Sequence, residues 1–541
     1  MPFQPSPAQQ AFYDWVTGGS GHAILEAVAG AGKTTTILNG ISKMPGRVWL
    51  GVYNKKMANE IKDKVQERDA GGKPKFPELI SRGRELDTST FHSLGMKVWL
   101  WNHKGHQIDV DDKKMDRIVD TLIQEREGAD QERRSDLREI AGMVKAIVSM
   151  AKNRGMGFLI DERDPSVWFE MIYQFDLDGK LPDGCSMDTV VKFAQCALKR
   201  SRKRATSVID FDDMIYMPLD PKCRAWGYDW VLVDEAQDTN PARRALAEKI
   251  LKPSGRLVAV GDPHQAIFGF TGADNDSLQQ IKTRLKATSL PLTVTYRCPK
   301  AIVAHAKNWV SHIEAHETAP EGAVLTLPYM DLIDNLQAND PNVDPSETAI
   351  LCRYNKYLVG LCFKLIREGI AAKIEGRSIG EGLVKLATRW KSVKTINGLE
   401  TKLKEYRDRE VKKALDKDNQ DKADRIDDEV GTLFVLIERA RERKIDRVSD
   451  LESMILEMFA DGVSESGMLT LCSCHKSKGL EWDTVYLLDR EAFMPSDMAR
   501  LDWQIAQENN LIYVAVTRAK QTLVEVTDVK EEKQDYVGRD D

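Results

Sequence analysis

His22–Thr34 reads HAILEAVAGAGKT. His22–Val28 is an apolar run of strand length, and Thr34–Asn39 opens a helix. Between them lies Ala29-Gly30-Ala31-Gly32. Glycines there let backbone N–H groups turn inward around an anion, at a helix N-terminus whose dipole end is positive. Lys33 follows, able to reach β- and γ-phosphate oxygens, and the Thr34 hydroxyl suits Mg2+. The strict GxxxxGK[ST] spacing fails at its first position, which is Ala27. A chance GKT lacks the strand before and the helix after, so the segment reads as a phosphate loop.

Trp230–Val233 (WVLV) is a second apolar strand, and it ends in Asp234-Glu235. A carboxylate at the C-terminal end of a strand sits at the mouth of an α/β sheet, where ligands bind. Asp234 is placed to hold Mg2+, and Glu235 to orient and deprotonate an attacking water. The alternative is a plain acidic turn, and Lys33-Thr34 upstream speaks against it. ATP with Mg2+ is the expected pairing.

Composition bounds the rest. A chain of 541 residues is too long for one core and predicts three or four domains. With 42% hydrophobic and 30% charged residues it should be globular. A net charge of −6 means that a nucleic-acid binder of this balance must gather its positive charge in a groove. No apolar run approaches the ~18 residues of a membrane span, and MPFQPSPAQQ lacks the segments of a signal peptide. A cytoplasmic protein without a membrane partner is expected, in the host's cytoplasm if phage-encoded. Eight cysteines do not make a disulfide scaffold. Cys472-Ser-Cys474-His475 has no second ligand pair to complete a zinc site, and alternation in Leu469–Cys474 fits a strand.

Four more stretches complete a pattern: Gly261–Gln265 (GDPHQ), Tyr296-Arg297, His475–Trp482 (HKSKGLEW) and Tyr513–Arg518 (YVAVTR). With AVAGAGKT and DEAQD they resemble superfamily 1 DNA helicases of the UvrD/Rep type, over roughly residues 5–540. The resemblance implies an α/β chain with two RecA-like parallel-sheet motor domains, each interrupted by a mainly helical insertion. It implies that Gln9 reads adenine, and that Ala29, Gly30, Ala31, Gly32, Lys33, Thr34 and Thr35 cradle the phosphates. Asp234 and Thr34 hold the metal, Glu235 is the base, and Gln265 touches the γ-phosphate. Tyr296 stacks on adenine, Arg297 and Arg518 are arginine fingers, and Glu481 faces the nucleotide with Gly479. The physics agrees: charge on a transferring phosphoryl group is spread over three oxygens, so added cations stabilise it.

The same resemblance places Val52, Asn54 and Lys55 (in VYNK), and Thr90, His92 and Ser93 (in TFHS), on a DNA strand. A single-strand motor needs π-faces for bases and donors for phosphates. Phe268 and Phe270 take the place of the family's base-stacking aromatics; they also read as core residues. Thr271 stands where many members carry arginine. His475 is the strand contact from the second domain. Trp99 and Trp101 (VWLWNH) read as helix packing. Lys199–Arg204 (KRSRKR) reads either as a solvated helix end or as a strand or duplex contact.

The expected domains are 1–90 with 205–296, holding the ATP site; a helical insertion over 91–204; a second motor domain over 297–380 with 468–541; and a charged helical insertion over 381–467. Glu400–Asp450 reads as solvent-exposed helices, and the last dozen residues as a frayed tail. The insertion over 381–467 is about half the size found in large family members and offers a surface for protein partners. The resemblance predicts an ATP-dependent 3′–5′ helicase-translocase acting on single-stranded DNA and single-strand/duplex junctions, a monomer or weak oligomer. Two rivals stay open, an ATP switch without processive unwinding and an RNA helicase; a third, a helicase-nuclease, would need an appended domain for which the second motor domain is expected to leave no room. Repair, replication and recombination are not told apart, and the compact size suits a phage or mobile-element enzyme.

Overall fold

The apolar run after His22 forms β1 (Ala23–Ala27), and it lies between two parallel neighbours inside a six-stranded sheet. The computed structural model describes residues 4–529, apart from 69–71, 83–84, 127–130, 176, 178–180, 182–184, 270–275, 339–343, 369, 376, 416–419, 459–466, 497–498 and 500. Phe270, Thr271 and the expected C-terminal tail lie outside the described residues. The chain divides into two units, one of residues 1–28 and 32–293, the other of 29–31 and 294–541. The expected boundary at 296/297 thus falls slightly earlier. The reason is that Val294–Thr295 pairs with Glu314–Ala315 of the second unit.

In the first unit α1 (Pro7–Gly18) precedes β1, and α2 (Lys33–Ser42) follows it. Next come β2 (Val48–Val52), α3 (Lys55–Gln66), α4 (Pro77–Arg82) and β3 (Leu86–Thr90). A helical stretch follows: α5 (Phe91–Asn102), the short β4 (Asp109–Val110), α6 (Lys114–Arg126), α7 (Gln131–Arg154), α8 (Pro165–Gln174) and α9 (Met187–Arg204). The chain then returns through β5 (Val208–Ile209) and α10 (Phe211–Tyr216) to β6 (Tyr228–Val233), α11 (Pro241–Lys249), β7 (Leu251–Gly261), α12 (Ser277–Leu285) and β8 (Thr288–Leu292). Strand order is β3-β2-β6-β7-β1-β8, all parallel. Such strands are covered on both faces, which is why VWLGV is buried throughout and YDWVLV nearly so.

The helical stretch is tied to the sheet domain by ions as well as by apolar packing. Lys152 of α7, wholly buried, lies 2.5 Å from Asp210 and 2.9 Å from Asp213. Lys114 of α6 lies 2.5 Å from Asp213 and donates to the Ser201 carbonyl at 2.8 Å. Burial alone would depress Lys152; Asp213, Asp210 and Asp212 outweigh it and hold the ammonium above the usual lysine range. Asp210 and Asp213 also cap α10 reciprocally, each accepting the other's backbone N–H.

The second unit runs through β9 (Val294–Thr295), α13 (Lys300–Ala306), β10 (Glu314–Ala315), β11 (Ala323–Pro328), α14 (Leu332–Gln337), β12 (Thr348–Cys352), α15 (Asn355–Arg367) and β13 (Ala372–Ile374). Four helices follow: α16 (Arg377–Ala387), α17 (Ile396–Leu415), α18 (Gln420–Glu442) and α19 (Val448–Met458). It closes with β14 (Leu469–Ser473), β15 (Trp482–Leu488), α20 (Arg490–Phe493), α21 (Asp502–Val516) and β16 (Ala519–Thr527). Its sheet, ordered β11-β16-β15-β12-β14-β13, is again parallel. The protein is therefore α/β with two RecA-like parallel-sheet domains, each carrying a helical interruption. Among the described residues no helix is long and apolar enough to cross a membrane.

Two readings need correction. The charged helices over Glu400–Asp450 are not solvated all round: Leu403, Ile426, Val430, Leu433, Leu436 and Ile437 form a buried stripe, with charge on the outer side, as in Lys404 with Glu400 at 3.3 Å. Trp101 is 42% exposed and meets Trp226 edge-on, whereas Trp99 is buried and donates to the Ala205 carbonyl at 3.0 Å.

Removing one member of the buried ion cluster leaves an unpaired charge in the core. Lys152→Met is expected to cost about 3–5 kcal/mol, read as a lowered urea midpoint of the first unit's unfolding.

Candidate nucleotide and strand site

Gly30 and Gly32 both adopt left-handed backbone (φ +73° and +74°), and Gly32 is the N-cap of α2. An L-residue rarely adopts such angles, so the loop needs glycine at these two positions. Ala29 and Ala31 are buried, Thr34 is half-buried and Thr35 exposed. Gln9 is buried beside α2: its amide donates to Thr36 Oγ1 at 3.0 Å, and its carbonyl accepts the Ser6 N–H at 2.9 Å in the capping box of α1.

Asp234 follows β6 and is buried. Burial, then the neighbouring Glu235, push its carboxyl up to about 7, against the pull of Lys33. Lys33 Nζ lies 3.6 Å from Glu235 Oε1. Glu235 itself has a left-handed backbone (φ 51°), unusual for a non-glycine residue and a form of strain common at functional sites. Two carboxylates against one lysine leave excess negative charge, and a hydroxyl follows Lys33. That donor chemistry fits Mg2+, with Asp234 and Thr34 as its holders. A magnesium site of one carboxylate, one hydroxyl and phosphate oxygens needs no larger cluster. Among the described residues no group of three His, Cys, Asp or Glu side chains forms a metal site.

A hydrogen-bond relay runs from Glu235. Gln237 donates to Glu235 Oε2, and Gln237 Oε1 accepts the Asp262 N–H at 3.1 Å. Asp262 Oδ2 in turn accepts from Gln265 Nε2 at 2.7 Å. Gly261 makes this possible, because a Cβ there would stand 2.2 Å from Gln237 Oε1. Gln237 lay inside the quoted DEAQD, and only the fold reveals its bridging place.

The strand-facing candidates sit at the C-terminal ends of β2 and β3. Val52 is a core residue of β2 with a buried side chain, which leaves its main chain for the contact that the resemblance implies. Asn54 caps α3, accepting the Met57 N–H at 2.9 Å, and Lys55 is exposed. Thr90 caps α5, accepting the Ser93 N–H at 3.2 Å; Ser93 is exposed. His92 is half-buried, edge-on to Phe211 at 6.4 Å. Burial, then the Arg243 guanidinium, depress His92 to about 4. Phe268 stacks on Tyr53 at 5.8 Å with 12° between planes, and Arg243 lies 5.3 Å from the Tyr53 ring centre. Tyr53 lies inside the quoted VYNK but was not singled out, and Arg243 was not anticipated. Tyr53 had a signal, since it directly follows a parallel strand; Arg243, on α11, had none. In the basic run, Arg200 pairs with Glu125 and Arg202 with Glu162, while Lys203 and Arg204 are exposed.

The second unit gathers Arg297, Glu481 and Arg518. Arg297 Nε lies 2.5 Å from Glu481 Oε2. Tyr296 is 47% exposed and leans on His316 at 4.9 Å. Arg518 is buried: Nε donates to the Val514 carbonyl at 2.8 Å, Nη1 to the Leu480 carbonyl at 3.1 Å, and Nη2 to Thr517 Oγ1 at 3.2 Å. Burial, then Arg297, lower it to about 9. Gly479 takes a left-handed turn (φ +88°). His475 follows β14, half-buried, and burial with Arg353 and Lys478 depresses it to about 3. Cys472 lies within β14 and Cys474 just after it, both buried.

Residues 9–286 match the UvrD/REP helicase N-terminal domain, and residues 379–527 the UvrD-like helicase C-terminal domain. Similar proteins include F-box DNA helicase 1 of Gallus gallus, 26% identical over 92% of this chain and 47% of the relative. ATP-dependent DNA helicase PcrA of Leuconostoc citreum is 27% identical over 54% of this chain and 37% of its own length. ATP-dependent DNA helicase Rep of Salmonella typhimurium is 26% identical over 50% and 38%. The chain thus spans less than half the length of these relatives. The N-terminal match alone takes in more than half of the chain, and the chain belongs to the UvrD/Rep helicase family.

Proposed function

We propose that this protein is an ATP-dependent DNA helicase-translocase that moves 3′ to 5′ on single-stranded DNA and opens duplex at junctions. One observation carries the reading. The C-terminal edge of the first sheet bears Lys33, the Asp234–Glu235 pair and the Gln237–Asp262–Gln265 relay, and the ring pair Tyr53–Phe268 follows β2 and β7 on that same edge. A group that responds to phosphate and a group that can hold a base then share one rigid sheet. The direction rests on the family alone.

Lys33 neutralises the terminal phosphates, and the backbone N–H groups of Ala29–Gly32 orient them. Thr34 and Asp234 would hold magnesium, which would supply Lewis-acid charge to the phosphate oxygens. Glu235 takes the proton of the attacking water; its reach is fixed by Gln237. Gln265, at the end of the relay, faces the γ-phosphate. Arg297 and Arg518 add positive charge in the transition state, and Tyr296 with Gln9 holds adenine. Thr90, His92, Ser93, Asn54, Lys55 and His475 meet the strand. The helices over 381–467 serve regulation or a protein partner rather than duplex grip, since their outer face mixes both charge signs.

Lys33→Ala is expected to abolish hydrolysis. Glu235→Gln should keep nucleotide binding while turnover falls by about 10²–10⁴. Normal turnover in Glu235→Gln, measured by phosphate release, means that the base lies elsewhere.

Arg297→Ala and Arg518→Ala should each cut turnover by about 10³-fold or more, with nucleotide affinity changed far less. An equal loss in binding with turnover intact would reduce both to electrostatic anchors.

The decisive experiment is the ATPase rate of the full chain alone and with single-stranded DNA, RNA or duplex. Stimulation by single-stranded DNA is expected. Strand-independent hydrolysis would favour an ATP switch, and equal response to RNA an RNA helicase.

A further inference from the structure

Trp101 is 42% exposed near the C-terminal end of α5. One exposed apolar ring is ordinary. This one is held in place from several sides. α5 starts beside Thr90, and its twelve residues run about 18 Å. Its end is locked to the segment that enters β6: the Asn102 side chain donates to the Arg224 carbonyl at 2.7 Å and accepts the Arg224 N–H at 2.8 Å. Trp101 therefore lies at the end of the sheet opposite Lys33 and Asp234. The lock seats Trp226 edge-on to Trp101, with ring centres 6.0 Å apart. Trp226 Nε1 in turn donates to the Tyr228 hydroxyl at 2.9 Å.

Cations rim the two indoles. Lys104 Nζ lies 5.8 Å from the Trp101 ring centre, and the Arg47 guanidinium 4.9 Å from that of Tyr228. Lys97 and Arg224 are exposed next to them. The acids packed here are engaged already. Asp87 accepts the Tyr228 hydroxyl at 2.9 Å and lies 3.7 Å from Lys97, and Asp229 lies 2.8 Å from Lys252. Glu85, ahead of β3, adds one exposed acid against four exposed cations. A chain of net charge −6 thus carries a local positive excess away from its phosphate loop. An indole centre with a charged rim is the anatomy of a protein contact, in which Trp and Arg carry much of the binding energy. A nucleic-acid strand would need cations and ring faces in line, and these rings meet at 87°.

We propose that this face docks an acidic peptide segment of a partner protein, with an apolar side chain against Trp101 and Trp226 and carboxylates on Lys104, Arg224, Lys97 and Arg47. The face stands independently of the strand reading. The probe is a fluorescein-labelled peptide with leucine and phenylalanine between two runs of aspartate, titrated with the full chain and followed by anisotropy. It should bind, more weakly as salt rises. Trp101→Ala and Lys104→Glu should each lower its affinity about tenfold or more, with thermal midpoints and ATPase rate unchanged. Should Trp101→Ala lower the midpoint, the surface change Lys104→Glu decides. No binding, or wild-type binding by both variants, overturns the proposal. Equal affinity for the same peptide with lysine in place of aspartate overturns the acidic partner. Oligothymidylate binding that falls to the same extent in Lys104→Glu would make the face a nucleic-acid site. A dimer in sedimentation that Trp101→Ala dissolves would make it a contact between copies. Either result overturns the proposal as well.

Discussion

The interaction on which the rest depends is the confrontation of Lys33 with Asp234 and Glu235. One ammonium lies 3.6 Å from one carboxylate, and a second carboxylate is buried beside them. In a low-dielectric site such charges cannot be left to solvent, and their positions must be set by rigid backbone. The parallel sheet provides that. β1 delivers the loop that ends in Lys33, and β6, two strands away, delivers Asp234 at the same edge. Left-handed backbone at Gly30, Gly32 and Glu235 turns each segment sharply as it leaves its strand.

The same edge organises what lies further along. β7 supplies Asp262 and Gln265, joined to Glu235 through Gln237. β2 leads into Tyr53, and β3 ends in Thr90. Sequence-distant residues become neighbours because parallel strands put all their C-terminal ends on one side. The buried Lys114–Lys152–Asp210–Asp213 cluster fixes α6, α7 and the start of α10 to one another. Its charges balance two against two, so burial is tolerated where a lone ion would not be.

Much of this was legible in the residues, for identifiable reasons. The loop, β6 and its carboxylates are local patterns: an apolar run, then glycines or acids at the strand end. The strands came out within a residue or two of where the apolar runs placed them, Ala23–Ala27 and Leu469–Ser473 among them. What stayed hidden depends on register and on distance. Val52 was read as strand-facing, but in a sheet covered on both faces its side chain belongs to the core, and the first free position is Tyr53. Arg243 reaches Tyr53 from α11, a helix with no motif to mark it. The helices over Glu400–Asp450 looked solvated because charge is so dense that it masks the spacing of Leu433, Leu436 and Ile437.

Arg518 shows how burial and reach oppose each other. Taking a guanidinium out of water is costly unless its donors are met. Here the Val514 and Leu480 carbonyls and the Thr517 hydroxyl meet them, all neutral acceptors. Neutral acceptors satisfy hydrogen bonds without cancelling charge, which is why burial and Arg297 together still lower its pKa. Arg297, by contrast, is paired with the Glu481 carboxylate. Two arginines of one domain are thus held in different ways: one aimed by a salt bridge that a stronger anion can compete for, the other fixed by the turn after α21 with its positive charge undiminished. An undiminished, immobile charge costs no reorganisation when negative charge develops nearby, and that is the condition for electrostatic catalysis to be large.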